Sequence, residues 1–167
     1  MVYGLSTQQN IDLILKACSH ADQSISLIGT GPLLDQMKVL AQALKVDARF
    51  LGKVPHEDLP KVMNQHRALI LYSSYEGNPK VVLEAMANGC LVIGRENKNI
   101  NEIIKHNLNG ILYNSNDNLL EIIESVIRNK TKFEMLTEEG YEYILNTNHI
   151  DKIIKIEQES YKYLAKS

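Results

Sequence analysis

Apolar positions along this chain follow two rhythms, short unbroken runs and longer stretches in which they recur every three or four residues. The short runs at Met1–Tyr3, Ser24–Ile28, Ala48–Leu51, Leu69–Tyr72, Leu91–Ile93 and Gly110–Tyr113 are too brief for helices and predict strands. Helical spacing fills the intervals. Ile11, Leu13, Ile14 and Leu15 begin a helix that ends near His20, and Leu33, Leu34, Met37, Leu40, Ala41 and Leu44 mark the buried side of a second. Asp58 is placed to cap a short helix ending near His66, and further helices are predicted over Pro79–Asn88 and Asn99–Lys105. Asp117 opens another, with Leu119, Leu120, Ile122, Ile123, Val126 and Ile127 on one side. Two more follow, roughly Thr131–Leu145 and His149–Leu164.

Strands that are apolar throughout, rather than at alternate positions, are buried on both faces. Alternating with helices, they predict a parallel sheet in a doubly wound, Rossmann-like α/β fold, whose binding crevice lies at the carboxyl ends of the strands. The length of 167 residues suits one domain over residues 1–167. A net charge of −2 gives no electrostatic reason to expect a nucleic acid or an anionic membrane as main partner. Cys18 and Cys90 lie far apart in apolar contexts and read as buried thiols of a reducing compartment. No signal peptide opens the chain and no apolar run reaches membrane-spanning length, so a cytoplasmic location is expected.

The candidate chemistry concentrates in SSYEGNPKVVLEAMANG, residues 73–89. Gly77, Asn78 and Pro79 favour a turn, and Pro79 suits a first helical position, where its missing N–H costs nothing. Glu76 then falls in the loop and Glu84 about one turn into the helix, with seven residues between them. Helical side chains lean toward the amino end, so Glu84 should reach back to the mouth where Glu76 sits. The amides around Lys80 and Val81, with the helix dipole, would hold a diphosphate there. Two carboxylates for sugar hydroxyls beside an anion hole describe a nucleotide-sugar site. The plainer reading, two surface glutamates near a helix start, fits the pair taken alone. Gly29 and Gly31, in Gly-Thr-Gly-Pro, read either as a strand-to-helix turn or as phosphate or sugar contacts. Gly52 reads either as a turn residue or as a ligand contact, and Lys53 as a solvated loop residue. The five histidines lack metal-ligand spacing, so no metal is expected, and Ser73 and Ser74 lack a hydrolase elbow.

Four segments in order carry a family resemblance: LIGTGPLLDQMKVLA (27–41), RFLGKVPHEDLPKVM (49–63), SSYEGNPKVVLEAMANGCLVIG (73–94) and NEIIKHNLNGILY (101–113). The chain resembles the C-terminal, donor-binding half of retaining glycosyltransferases of the GT-B architecture, group 1 or family 4. The resemblance implies Glu76 near the donor sugar as the catalytic-site carboxylate, with Gly77 and Asn78 beside it. It implies Glu84 on the ribose hydroxyls, the amides of Lys80 and Val81 on the diphosphate, and Gly52, Lys53 and Val54 along the base. Glu102 matches a family glutamate in the fourth segment. The family segment that VYGLSTQQNID resembles usually carries an arginine and a lysine on the diphosphate, and here Gly4 and Gln9 take those places. Two cations that stabilise a leaving diphosphate are thereby absent, with Lys80 as a partial substitute.

The resemblance further implies a nucleotide-diphosphate sugar as substrate, no cofactor, and a product of the surface-polysaccharide, lipopolysaccharide or capsule kind. An N-terminal acceptor-binding domain is the implied partner, in cis or in trans. Peripheral association with the inner membrane face would come through that domain. The terminal stretch 147–167 would dock on it, and the chain alone would bind without catalysing. Two other readings stand beside this one. A non-catalytic nucleotide-sugar-binding or interaction module is favoured by Gly4 and Gln9 and opposed by the glutamate pair. A sugar-nucleotide epimerase fits the flanking segments less well.

Overall fold

In a computed structural model of the chain, residues 2–3, 11–71, 80–114 and 117–147 are described. They form one six-stranded sheet, all parallel, in the order β3-β2-β1-β4-β5-β6. The strands are β1 (Val2–Tyr3), β2 (Ile25–Ile28), β3 (Ala48–Gly52), β4 (Ala68–Leu71), β5 (Leu91–Arg95) and β6 (Ile111–Tyr113). Helices α1 (Ile11–His20), α2 (Leu34–Ala43), α3 (Leu59–Met63), α4 (Lys80–Ala87), α5 (Lys98–Ile103), α6 (Leu119–Arg128) and α7 (Lys130–Thr147) alternate with them. This is the expected doubly wound fold. Strand order reverses direction between β1 and β4, which makes that junction the switch point where such sheets open a crevice.

The apolar strand runs are explained by burial on both sides. In β5, Leu91 and Ile93 enter one cluster with Ile14, Leu15, Leu27 and Tyr113, under α1, α2 and α6. Val92 enters the other, with Met63, Leu69, Val82 and Ile100, under α3, α4 and α5. Helix α7 serves both, giving Phe133 and Leu136 to the first and Tyr143 and Ile144 to the second.

Helix starts depart from expectation in two places. Asp58 does not cap α3: a 3-10 turn over His56–Asp58 leads straight into it, Asp58 is itself helical, and its carboxylate turns outward to Lys61 at 2.8 Å. That helix also stops at Met63, before His66. Asp117 does not open α6. Asn118 does, its side-chain oxygen accepting from the Leu120 amide at 3.1 Å, while Asp117 accepts from the Asn114 amide at 2.7 Å. The α5 start, by contrast, is a standard cap, with the Asn97 side chain accepting from the amides of Asn99 and Ile100. The helix predicted over His149–Leu164 lies outside the described residues.

Candidate functional site

The loops that carry most of the described candidates leave the carboxyl edge of the sheet. Strand β2 ends at Ile28, and Gly29 follows with φ of 120°, a conformation that side chains with a Cβ resist. Its amide donates to the carbonyl of Gly52 at 2.7 Å, and Gly52 itself has φ of 65°. The two glycine loops are therefore joined backbone to backbone, which requires the close approach that both residues permit. Nothing lies within 4 Å of a Cβ built on Gly52, so that side of the loop is open. Lys53 is exposed, and Val54 is half-buried against the second apolar cluster. Pro32 and Gly31 lead into α2, the Gly31 carbonyl accepting from the Leu34 amide.

Helix α4 is held from below by Val82, Ala85 and Met86, all buried, and Val81 packs on the same cluster. This leaves Lys80 exposed and Glu84 partly exposed, its side chain at 29%. The Glu84 carboxylate stands 3.7 Å from Nδ1 of His56, which belongs to the loop after β3. The structure thus places Glu84 next to the β3 loop that carries Gly52, Lys53 and Val54. Residues Gly4, Gln9, Glu76, Gly77 and Asn78 lie outside the described residues. Glu102 is exposed on α5.

Two residues at this edge were missed by sequence reasoning. His56 carries no motif beyond its place after the Val-Pro of the second segment, and only the fold brings it to Glu84. Tyr113 is fully buried and its hydroxyl donates to the Leu71 carbonyl at 3.0 Å. It thereby fixes the end of β4, the strand that runs into the 73–89 motif. A tyrosine closing an apolar run gives no sequence signal for that bond. The Asn-Gly pair of the fourth segment proves structural: Asn109 is buried and bonds the Lys105 amide at 2.7 Å and the Ile103 carbonyl at 3.0 Å.

Cys18 and Cys90 are free and buried, as expected. Burial pushes the Cys18 thiol up to about 11 and raises that of Cys90, so both stay protonated and unreactive. Among the described residues no group of three or more His, Cys, Asp or Glu side chains could hold a metal ion. No described helix is long and apolar enough to cross a membrane.

Known proteins share this fold. The family model described as "Glycosyl transferases group 1" matches residues 1–143. An uncharacterized glycosyltransferase of Methanocaldococcus jannaschii is 31% identical over 113 residues, which is 64% of this chain and 29% of that protein. The crystal structure of Anabaena HepE in complex with UDP-glucose superposes with a TM-score of 0.80 at 19% identity, over 99% of this chain and 49% of HepE. The C-terminal domain of the group 1 glycosyl transferase LpcC from Francisella tularensis gives 0.75 at 21% identity, covering 89% of this chain and 86% of that domain. The chain spans less than half the length of the curated relatives it matches.

Proposed function

The chain belongs to the glycosyl transferases of group 1, and we propose that it is the donor-binding part of a retaining, metal-independent transferase of family 4. The observation that carries this reading is Glu84, partly shielded on α4 and set against the β3 loop at the carboxyl edge of a doubly wound sheet. A carboxylate there can accept hydrogen bonds from both hydroxyls of a ribose. The amides of Lys80 and Val81, at the positive end of α4, would receive the diphosphate, and Gly52, Lys53 and Val54 would border the base. Gly29 and Gly31 would border the sugar or phosphate. Glu76, with Gly77 and Asn78, would lie at the donor sugar.

Transfer requires the departing diphosphate to be stabilised and an acceptor hydroxyl to attack the anomeric carbon from the face the diphosphate leaves. Helix-terminal amides supply the first without a metal. The second needs an acceptor domain, so this chain alone would bind donor and not transfer sugar to a glycan or glycolipid. Gly4 and Gln9, in place of two cations, would weaken its hold on the diphosphate.

HepE was solved with UDP-glucose, which makes uridine diphosphate the first nucleotide to try. Calorimetry with the bare diphosphate should show Glu84→Gln losing roughly tenfold or more in affinity, since a hydrogen bond to a charged group contributes about 1.5–3 kcal/mol. Glu76→Gln should leave that binding almost unchanged and disturb only binding of the sugar-bearing donor. Equal losses in the two variants, or none in either, would show that the roles are wrongly placed.

A further inference from the structure

His56 has a fixed backbone and a side chain left in the open. Val54, two residues before it, packs on the second apolar cluster, and Leu59, three residues after it, is buried there. Between them runs the 3-10 turn over His56–Asp58, closed by the Asp58 amide donating to the Pro55 carbonyl at 3.0 Å. Pro55, with φ of −55°, leaves the entry to that turn little freedom. The imidazole is 81% exposed, so burial does not account for its direction, and its Nδ1 stands 3.7 Å from Oε1 of Glu84. Among the described residues His56 is the one ion-pair partner of that carboxylate.

We propose that His56 is a positioning residue for the ribose carboxylate: its Nδ1–H donates to Oε1 of Glu84 and holds the carboxylate toward the β3 loop. The inference rests on the donor reading of Glu84. A glutamate side chain is long and freely rotating, and holding it in one orientation ahead of the ligand removes part of the ordering cost of binding. The separation is about half an ångström beyond a hydrogen bond, a gap that rotation of the exposed imidazole closes. His56 does not use up the acceptor. Each carboxylate oxygen has two lone-pair sites, so Oε2 and the second site of Oε1 remain for the two ribose hydroxyls. His56 therefore acts through Glu84 and not on the nucleotide itself.

Calorimetry with uridine, guanosine and adenosine diphosphate selects the nucleotide that the native chain binds tightest, and the variants are compared on it. His56→Ala is expected to lower affinity roughly threefold to fivefold, the upper end for a pair with one exposed partner. His56→Asn should recover most of that loss, because the asparagine amide nitrogen is a donor that falls close to the place of Nδ1. Unfolding midpoints of both variants should match the native chain, since the exposed ring contributes little packing. The 2′,3′-dideoxy form of the same nucleotide has no diol for Glu84 to hold, so His56→Ala should bind it as well as the native chain does. Native affinity in His56→Ala, an equal loss in His56→Asn, a lowered midpoint, or a loss that persists with the dideoxy form would each overturn the proposal. Glu84→Gln separates that failure from failure of the donor reading. If Glu84→Gln loses affinity while His56→Ala does not, only the positioning role falls. If Glu84→Gln binds like the native chain, or none of the three nucleotides binds, the donor reading falls and this inference with it.

Discussion

The two faces of the sheet are built on different terms. Under α1, α2 and α6 the packing is mostly apolar, with Ile14, Leu15, Leu27 and Ile93 together, and its side-chain ties are few: Tyr113 donates to the Leu71 carbonyl and Ser19 to the Leu44 carbonyl. Under α3, α4 and α5 an equally apolar cluster is threaded with polar ties. Buried Ser26 donates its hydroxyl to Nε2 of His66 at 2.7 Å, while Nδ1–H of His66 donates to the Val62 carbonyl. The Cys90 thiol donates to the carbonyls of Met63 and His66, and the Asn88 amide donates to the Glu84 carbonyl at 2.8 Å. Asn109 ties the loop after α5. Apolar contact alone fixes depth but not orientation. Directional bonds from Asn88 and Cys90 to Met63 and His66 help set where α4 and its Glu84 stand.

The comparison can be broken first by a cavity on the apolar face. Leu15→Ala should cost about 2–5 kcal/mol in denaturant unfolding, since Leu15 is fully buried and its neighbours can only partly collapse. Nucleotide affinity of the fraction that stays folded should not change. A shift in affinity at constant fold would mean the two faces are coupled more closely than the polar ties suggest.

Overpacking the other face should come next. A Cβ on Gly110 would sit 2.9 Å from Ile104 Cγ2 and 3.1 Å from the Val92 carbonyl oxygen, and the latter is backbone that cannot swing aside. Gly110→Ala is therefore expected to lower stability by about 1–3 kcal/mol. An unchanged unfolding midpoint would show that Ile104 and β5 yield more easily than the sheet geometry implies.

The smallest effect concerns the Ser26–His66 tie. Ser26→Ala leaves the His66 ring nitrogen without its donor and should cost about 1–2 kcal/mol. Burial, with a smaller contribution from Arg49, holds the His66 imidazole below its ordinary value. The unfolded chain therefore takes up a proton at higher pH than the folded one. The stability that His66 contributes is complete above its unfolded value near 6.5 and is lost as pH falls toward the lower folded value. Midpoints measured from pH 7.5 down to 5 should fall more for the native chain than for His66→Gln, which cannot titrate. Parallel curves would remove His66 from the account.

Much of this was legible because burial writes itself into hydropathy. Leu69-Ile70-Leu71 and Leu91-Val92-Ile93 have no polar alternation, and only a strand covered on both faces tolerates that, so the parallel sheet followed from pattern alone. Glu84 was placed on the right helix because Pro79 and Gly89 bracket it. The failures at Asp58 and Asp117 share one cause. An aspartate before a helical run predicts a cap only if the backbone there is extended, and a preceding 3-10 turn or a neighbouring asparagine changes that geometry. His56 and Tyr113 were invisible because their partners, Glu84 and Leu71, are distant in sequence and adjacent only after the strands have paired.

Local chemistry thus determined the alternation of strands and helices, the glycine loops and the family signature, because each depends on residues within a few positions of one another. The tertiary structure decided the strand order, which set the switch point between β1 and β4. It also decided which loops meet: the Gly29 amide reaches the Gly52 carbonyl, and Glu84 reaches His56, because parallel neighbours carry their carboxyl ends to a common edge.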